Sequence, residues 1–156
     1  MTIRPAKSDD LESVLELLDA KREAYGRWQP VFHRPATGAR EMQRPFIGSL
    51  FSNPDFICLI AGSEGVVNGF LQGRIVNAPP VYDPGGPVLM IDDFVVADPV
   101  LWPTTGRALV DEAGKIAKSR GAVLINVVCG PKDEPKRKML HDAGLTVASE
   151  WLVAPL

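Results

Sequence analysis

The chain has few cysteines and no long apolar run. Only two of its 156 residues are cysteine, and Cys58 and Cys129 both lie in apolar stretches. So few thiols make no disulfide framework, and we expect both to be reduced, buried residues of a cytoplasmic protein. No stretch approaches the roughly 18 apolar residues of a membrane-spanning helix. The first ten residues also lack the apolar core of a secretory signal. We therefore expect no membrane partner.

A surplus of basic residues is also missing. Lysine and arginine number 17 against 19 acidic residues, a formal net charge of −2, and no basic cluster lines one face. Because a nucleic-acid-binding domain needs such a surface, we expect no nucleic-acid partner. No G-x-G-x-x-G follows the first predicted strand, which disfavours a dinucleotide-binding domain. We also expect no metal cofactor.

The composition is that of an ordinary globular protein, with 46% apolar and 23% charged residues. Neither an internal repeat nor a low-complexity segment divides the chain. A length of 156 residues suffices for one domain with its own core and is short for two. We expect a single domain over residues 1–156.

A strand, a loop and a helix between residues 89 and 120 form the most informative stretch. Leu89–Val96 is an apolar run interrupted by Asp92 and Asp93, which predicts a buried strand. After a short loop, residues 107–120 carry apolar side chains at spacings of three and four, which predicts an amphipathic helix. The free N–H groups and the dipole at such a helix start favour a phosphate group. Many strand–helix junctions bind nothing, and that alternative stays open.

The rest of the chain alternates strands and helices. The predicted elements are a strand at 2–6, helices at 11–25 and 39–52, strands at 56–61, 66–76 and 122–128, a helix at 134–143 and a strand at 145–156. With a hairpin loop at 62–65, residues 56–96 predict an antiparallel meander. The crossover helix makes the strand at 122–128 parallel to its partner. Pro45 predicts a kink or a break in the second helix, and Gly69 and Gly73 predict a bulge or a close backbone approach.

Residues 26–38 contain two glycines and two prolines, which predicts that the first helix ends here in an irregular loop. The stretch nevertheless carries Trp28, Phe32 and His33. Aromatic side chains in such a loop either fill the core or line a pocket, and both alternatives are open.

The ordered set of motifs resembles the GCN5-related N-acetyltransferase superfamily (GNAT). The similar stretches are TIRPA with SDDLESVLELL, GSEGVVNGFLQGRI, LMIDDFVVADP, TGRALVDEAGKIAKSRGA and DEPKRKMLHDAGL, which cover nearly the whole chain. The resemblance implies an α+β (mixed α/β) acyl-CoA N-acyltransferase fold. Its central, mostly antiparallel sheet has a splayed fourth and fifth strand and is flanked by helices.

The resemblance also implies that acetyl-CoA is the co-substrate and that its acetyl group passes to an amine. The edge of a bulged fourth strand would pair with the pantetheine arm, and the following helix start would hold the pyrophosphate. The implied cofactor-binding residues are Phe94, Val95, Val96, Leu101, Thr104, Thr105, Gly106, Arg107, Ala108 and Asp133.

Two motifs depart from the superfamily pattern. The phosphate loop is usually Q/R-x-x-G-x-G/A, and here Leu101 takes the Q/R position, Thr104 replaces the first Gly, and Pro103 removes an N–H donor. The tyrosine that usually protonates the leaving thiolate is replaced by Leu140, and the usual Asn at the helix start by Asp133. These departures put catalysis, more than fold, in question.

The implied catalytic candidates are acids in the fourth strand and donors in loops. Asp92 or Asp93 would be the general base, and since adjacent strand residues face opposite ways, we expect one of them, by parity Asp92, to face the site. A carboxylate that only pairs with a basic side chain is the alternative. Tyr82 and His33 are candidate proton donors, and Cys129 is taken as a buried structural thiol.

The acceptor is expected to be the amine of a small molecule or a peptide, bound by Trp28, Phe32 and Tyr82. A mixture of aromatic and basic residues in these loops favours an acceptor with an apolar or anionic part. The alternative function is a non-catalytic acyl-CoA-binding or partner-binding module of the same fold. Trp151 in the apolar last strand predicts a possible homodimer.

Overall fold

The computed structural model describes residues 1–63 and 65–156. The strands are β1 (Thr2–Pro5), β2 (Phe56–Ser63), β3 (Val66–Val76), β4 (Val88–Val96) and β5 (Leu124–Val127). The helices are α1 (Leu11–Trp28), α2 (Ala39–Leu50), α3 (Arg107–Ser119) and α4 (Glu134–Asp142). Short helical turns also lie at Ser8–Asp10, Pro99–Leu101 and Trp102–Gly106. No described helix is long and apolar enough to cross a membrane.

The sheet has the order β1-β2-β3-β4-β5, antiparallel except for the parallel pair of β4 and β5. The mixed α+β fold class is confirmed, including the meander and the parallel crossover through α3.

Both faces of the sheet are covered by helices, which makes three layers. Alternate strand residues divide between them: Leu71 and Phe94 pack with Leu109 of α3, whereas Phe70 and Val95 pack with Leu15 of α1. The period of two in the sequence thus places one core on each face of the sheet.

The close backbone approach expected at Gly69 and Gly73 is confirmed. A Cβ on Gly69 would lie 3.0 Å from both the Leu109 and Thr105 side chains, and one on Gly73 would lie 2.8 Å from the Met90 carbonyl oxygen. A register shift in the pairing of β3 and β4 also falls at Gly73, which is the expected bulge.

Several predicted boundaries are wrong. The first helix continues past Tyr25 to Trp28, and the returning chain packs against it at Gly26, where a Cβ would meet Pro35 Cδ at 3.0 Å. A break at Pro45 is excluded, since α2 is one helix whose buried Ile47 and Leu50 hold it against the core. The strand β2 extends to Ser63, and the predicted hairpin loop includes Glu64, which lies outside the described residues.

Two larger corrections concern the second half. Residues 99–106, expected as a loop, are helical and run directly into α3. Residues 145–156, expected as a strand, form none in the described structure, and Trp151 and Leu152 are 82% and 93% exposed. Apolar alternation predicts an extended segment, but a strand also needs a neighbouring edge to pair with.

We expect Gly73→Ala to destabilise the fold by about 1–3 kcal/mol, because the added methyl overlaps a carbonyl oxygen within the sheet. Gly48→Ala is the matched control, since its Cβ would meet only Leu11 Cδ2 at 3.4 Å. Alanine in a helix gains about 0.5–1 kcal/mol over glycine, so this variant should be more stable than wild type. Urea unfolding measures both, and equal stability of the two variants would contradict the packing described here.

Candidate active site

The site is centred on the point where β4 and β5 part. Their parallel pairing ends at Ile91 and Val127, and the last bond runs from the Val128 N–H to the Ile91 oxygen at 3.0 Å. At this point Gln72 pairs with Asp93 while Gly73 pairs with Ile91, so Asp92 is an extra residue that bulges out of β4. The expected bulge and the expected splay of these strands thus coincide.

Beyond the bulge, β4 has a free edge. The Ala97 N–H donates to the Asn68 oxygen at 2.9 Å, so the backbone groups of Ala97 face β3. Because the backbone groups of successive strand residues alternate in direction, the N–H and C=O of Val95 also face β3. Those of Phe94 and Val96 face the opposite side. Of the three strand residues expected to pair with a ligand, Phe94 and Val96 therefore have backbone groups on the open side, and Val95 does not.

A cavity of about 360 Å³ lies beside the bulge. It is lined by residues of α1, α2, the segment between them and β4: Leu18, Lys21, Arg22, Tyr25, His33, Arg34, Pro35, Ala36, Ala39, Gln43, Asp92, Asp93 and Val128. His33 and the two acids predicted from the sequence are thus brought together at one pocket.

The expectation that only one of the two acids faces the pocket is wrong. Both Asp92 and Asp93 line it, because the bulge breaks the alternation of side chains at this position. Their surroundings differ. The Asp93 carboxylate accepts a bond from Lys21 Nζ at 2.7 Å in a pair whose side chains are less than one-fifth exposed, whereas Asp92 is exposed.

The predicted aromatic contacts lie outside this cavity. Trp28 packs against Tyr25, with ring centroids 5.3 Å apart, and Phe32 packs between His33 at 5.0 Å and Trp151 at 6.1 Å. Tyr82 is 72% exposed and does not line the pocket. Of the aromatic candidates, only His33 is placed at the pocket itself.

Tyr25 is a site residue that sequence reasoning missed. Its hydroxyl accepts a bond from the Gly130 N–H at 3.0 Å and lies 3.4 Å from Asp133 Oδ2. Burial is the main cause that raises the pKa of both Tyr25 and Asp133. A Cβ at Gly130 would lie 3.1 Å from the tyrosine ring, so a larger residue there would require the ring to shift by a few tenths of an ångström. In the sequence Tyr25 is only the last residue of the predicted first helix, and no motif marks it as a pocket residue.

Residues 99–106, which were expected to bind phosphate as an open loop, form helical turns instead. The helical segment begins at Pro99, and the Asp98 carboxylate accepts from the Val100 N–H at 2.9 Å. The Arg107 N–H, expected to face a ligand, donates instead to Trp102 oxygen within the helix. Gly106 is required for packing, since a Cβ there would lie 2.4 Å from the Trp102 ring. An anionic cap and occupied donors fit a phosphate poorly.

Side chains at this end remain available for an anion. Thr104 is exposed, and the Arg107 guanidinium lies at the surface, where Nε donates to Asp111 Oδ1 at 2.9 Å. Leu101 packs against the core and Thr105 is buried, so neither offers a surface polar group. Acetyl-CoA therefore fits the free edge of β4 better than it fits the turn at residues 99–106.

Lys136 is the second missed residue. It has no exposed surface, and its ammonium donates to Val128 oxygen at 2.9 Å and Phe94 oxygen at 3.2 Å. Burial is the main cause that lowers its pKa from 10.5 to about 8. The sequence places it among basic residues at a helix start, which is the pattern of a solvated face.

No described group of three or more His, Cys, Asp or Glu is arranged to hold a metal ion.

The shifted pKa predicts a pH dependence of stability. Below pH 8 Lys136 is charged in both states; between pH 8 and 10.5 the folded protein loses this proton while the unfolded chain keeps it. The unfolded state then binds more protons, so the contribution of Lys136 to stability rises with pH, by about 1.4 kcal/mol for each pKa unit.

Lys136→Met should lack this rise, and urea unfolding from pH 7 to 10.5 measures it. The difference between wild type and variant isolates Lys136, because Tyr25, Cys58 and Cys129, whose pKa values burial raises, titrate in both proteins. Parallel curves for the two proteins would exclude a buried lysine with a lowered pKa.

No family model and no curated protein matches the chain. Solved structures do match. The F44R mutant of the BH1408 protein from Bacillus halodurans has a TM-score of 0.85 at 16% identity, over 100% of this chain and 99% of that one. A probable acetyltransferase has a TM-score of 0.73 at 20% identity, over 100% and 97% of the two chains.

A third similar structure was solved with a ligand. It is described as a predicted acetyltransferase with acetyl-CoA from Clostridium acetobutylicum, and it has a TM-score of 0.75 at 15% identity over 99% of this chain and 95% of that one. Identities this low establish the fold and leave the activity open. The chain has the fold of the GCN5-related N-acetyltransferase superfamily.

Proposed function

We propose that this chain transfers the acetyl group of acetyl-CoA to the amine of a small molecule or a peptide. The observation that carries the proposal is the meeting of two features at the Asp92 bulge. The free edge of β4 beyond Ile91 suits an extended amide-containing arm, and the neighbouring cavity suits an amine acceptor. The fold, shared with a structure described as a predicted acetyltransferase with acetyl-CoA, supports this assignment.

In this proposal the backbone of β4 holds the donor. Phe94 and Val96 present the carbonyl and N–H groups that an added strand would use. Arg107 and Thr104 contact the phosphate groups through their side chains, in place of a loop of free N–H groups. When bound, acetyl-CoA supplies an activated thioester for attack by the amine.

The acids have different roles in this scheme. Asp92 is exposed and has no salt bridge in the described structure, so it is the group that takes a proton from the acceptor's ammonium and leaves the free amine, whose nitrogen then attacks. Asp93 is engaged by Lys21 and positions that lysine at the pocket wall. As the amine nitrogen bonds to the carbonyl carbon and the carbon–sulfur bond breaks, the thiolate needs a proton. His33 is the pocket residue proposed to provide it.

The charges around the cavity suggest the class of acceptor. Arg22 is already bonded to Asp19 and Gln43, whereas Arg34 is exposed at the pocket. An acceptor whose amine faces Asp92 and whose anionic group faces Arg34 would match both signs of charge. We therefore propose a small amine that carries a carboxylate or another anionic group.

A non-catalytic module remains the second candidate, and a specific observation favours it. The start of the helical segment at Pro99 is capped by the Asp98 carboxylate, which repels phosphate. A protein of this fold that lost the phosphate site would bind an acyl-CoA weakly or serve a partner protein instead.

Calorimetry with acetyl-CoA, free CoA and ATP tests the donor first. We expect micromolar binding of acetyl-CoA and weaker binding of ATP, because the pantetheine arm contributes the strand pairing. Undetectable binding of acetyl-CoA would reject the transferase and favour the non-catalytic module.

An amine screen then tests the acids. Asp92→Asn should lower kcat by about 10²-fold or more, since general-base catalysis contributes about 10²–10⁴-fold, and leave acetyl-CoA affinity unchanged. Asp55→Asn is the control, because Asp55 is exposed and does not line this cavity. If Asp92→Asn retains wild-type kcat, Asp92 is not the base.

A further inference from the structure

The gap between the diverging strands is filled by a side chain of the protein itself. The two carbonyl groups that accept from Lys136 belong to Phe94 of β4 and to Val128, directly after β5. They are the first inward-facing carbonyls beyond the last pair of the two strands, Ile91 and Val127. The ammonium thus bridges the strands where their own pairing stops.

The ammonium has no carboxylate partner within 4 Å among the described residues. It lies over the rings of Phe94 and Trp102, 5.1 and 5.4 Å from their centroids. The charged and titratable groups around it are Asp93, Asp133 and Cys129, which favour the charged lysine, and Lys21, which opposes it. A buried charge held by two carbonyl oxygens and two ring faces is costly to keep.

An extended ligand in this gap needs the group that Lys136 uses. A donor arm that pairs with β4 as a strand would donate to Phe94 oxygen, because that carbonyl faces the gap nearest the bulge. A carbonyl oxygen can accept two hydrogen bonds, but the fully buried Lys136 side chain occupies the space beside Phe94 oxygen that the arm would need. The ligand and Lys136 therefore compete for one position.

We propose that Lys136 is a displaceable gate in the donor slot, and that acyl-CoA binds when its ammonium leaves Phe94 and Val128. This inference rests on the proposed function. The lysine stem has four rotatable methylene groups, which allow the ammonium to move to solvent without a movement of α4. Its departure breaks the two charged hydrogen bonds, a cost that hydration of the ammonium offsets in part, and it frees both carbonyls for the ligand.

The opposing explanation is that Lys136 is a permanent structural pin, a side chain that never leaves the gap between the strands. Truncation of Lys136 distinguishes the pin from the gate. Lys136→Ala opens the gap, so the gate predicts that acetyl-CoA binds about tenfold or more tightly, the equivalent of one or more charged hydrogen bonds no longer broken. Lys136→Met fills the gap with an uncharged chain that gains nothing on moving into water, so this variant should bind more weakly than wild type. Lys138→Ala, on the exposed side of the same helix, is the control and should match wild type.

Calorimetry on the four folded proteins, each checked by thermal unfolding, gives distinct outcomes. Tighter binding by Lys136→Ala than by wild type supports the gate. Equal affinity of wild type and Lys136→Ala overturns the gate and leaves the proposed function intact. Binding by neither protein overturns the proposed function together with the gate.

A measurement without ligand tests the gate separately. An amine-modifying reagent, followed by mass spectrometry, should label Lys136 at least about tenfold more slowly than Lys115 and Lys138, whose side chains are 74% and 76% exposed. Saturating acetyl-CoA should accelerate the labelling of Lys136 and leave the other two unchanged. Labelling of Lys136 as fast as Lys138 in the free protein would show that the gap is open, and labelling that acetyl-CoA does not accelerate in a protein that binds it would show a fixed pin.

Discussion

One extra residue in β4 sets the geometry on which the candidate site depends. The bulge at Asp92 changes the register between β3 and β4 and lies where the pairing of β4 with β5 ends. Without it, Asp92 and Asp93 would point to opposite faces of the sheet. The same local irregularity thus accounts for the shared acidic wall of the cavity and lies where the free edge of β4 begins. The free strand edge and the cavity therefore meet at the same residue of β4.

The electrostatics of the site follow from this crowding. Two carboxylates on one pocket wall repel each other, and Lys21 reduces that repulsion by pairing with the less exposed of them, Asp93. This pairing leaves Asp92 exposed and without a salt bridge in the described structure. Lys21 also opposes the charge of Lys136 and lies over the Tyr25 ring, so the acids, the two lysines and Tyr25 form one electrostatic neighbourhood.

Hydrophobic periodicity predicted most of this fold because burial on one face repeats locally along each element. The crossover helix and the meander followed from that pattern and from short connections. The failures have different causes. The turn at residues 99–106 contains Pro and Gly, which locally favour a loop, but Trp102 packs over Gly106 and holds the chain in helical turns. This contact depends on a ring fitting where a Cβ is absent, which spacing alone does not reveal.

Residues of the candidate site were predictable only where a reactive side chain stands at an unusual place in the sequence pattern. Asp92 and Asp93 were found because acids interrupt an apolar strand, and His33 because it stands in an irregular loop. Tyr25 and Lys136 were missed because their roles come from residues distant in the chain: Gly130 and Asp133 for the tyrosine, Phe94 and Val128 for the lysine. Lys136 has three basic or acidic neighbours within two positions, so its pattern is that of a surface helix.

The identity of the buried residue at position 136 is informative on energetic grounds. A methionine of similar length would fill the same gap without a desolvated charge, and replacing buried charges by apolar residues is often neutral or stabilising. Stability alone therefore does not favour lysine here. What lysine adds is a lower cost of leaving than a buried apolar chain would have, because its charged end is hydrated once it reaches water. A residue that closes a slot and is well hydrated when it leaves is suited to a slot that must open, and this asymmetry is what distinguishes a gate from packing.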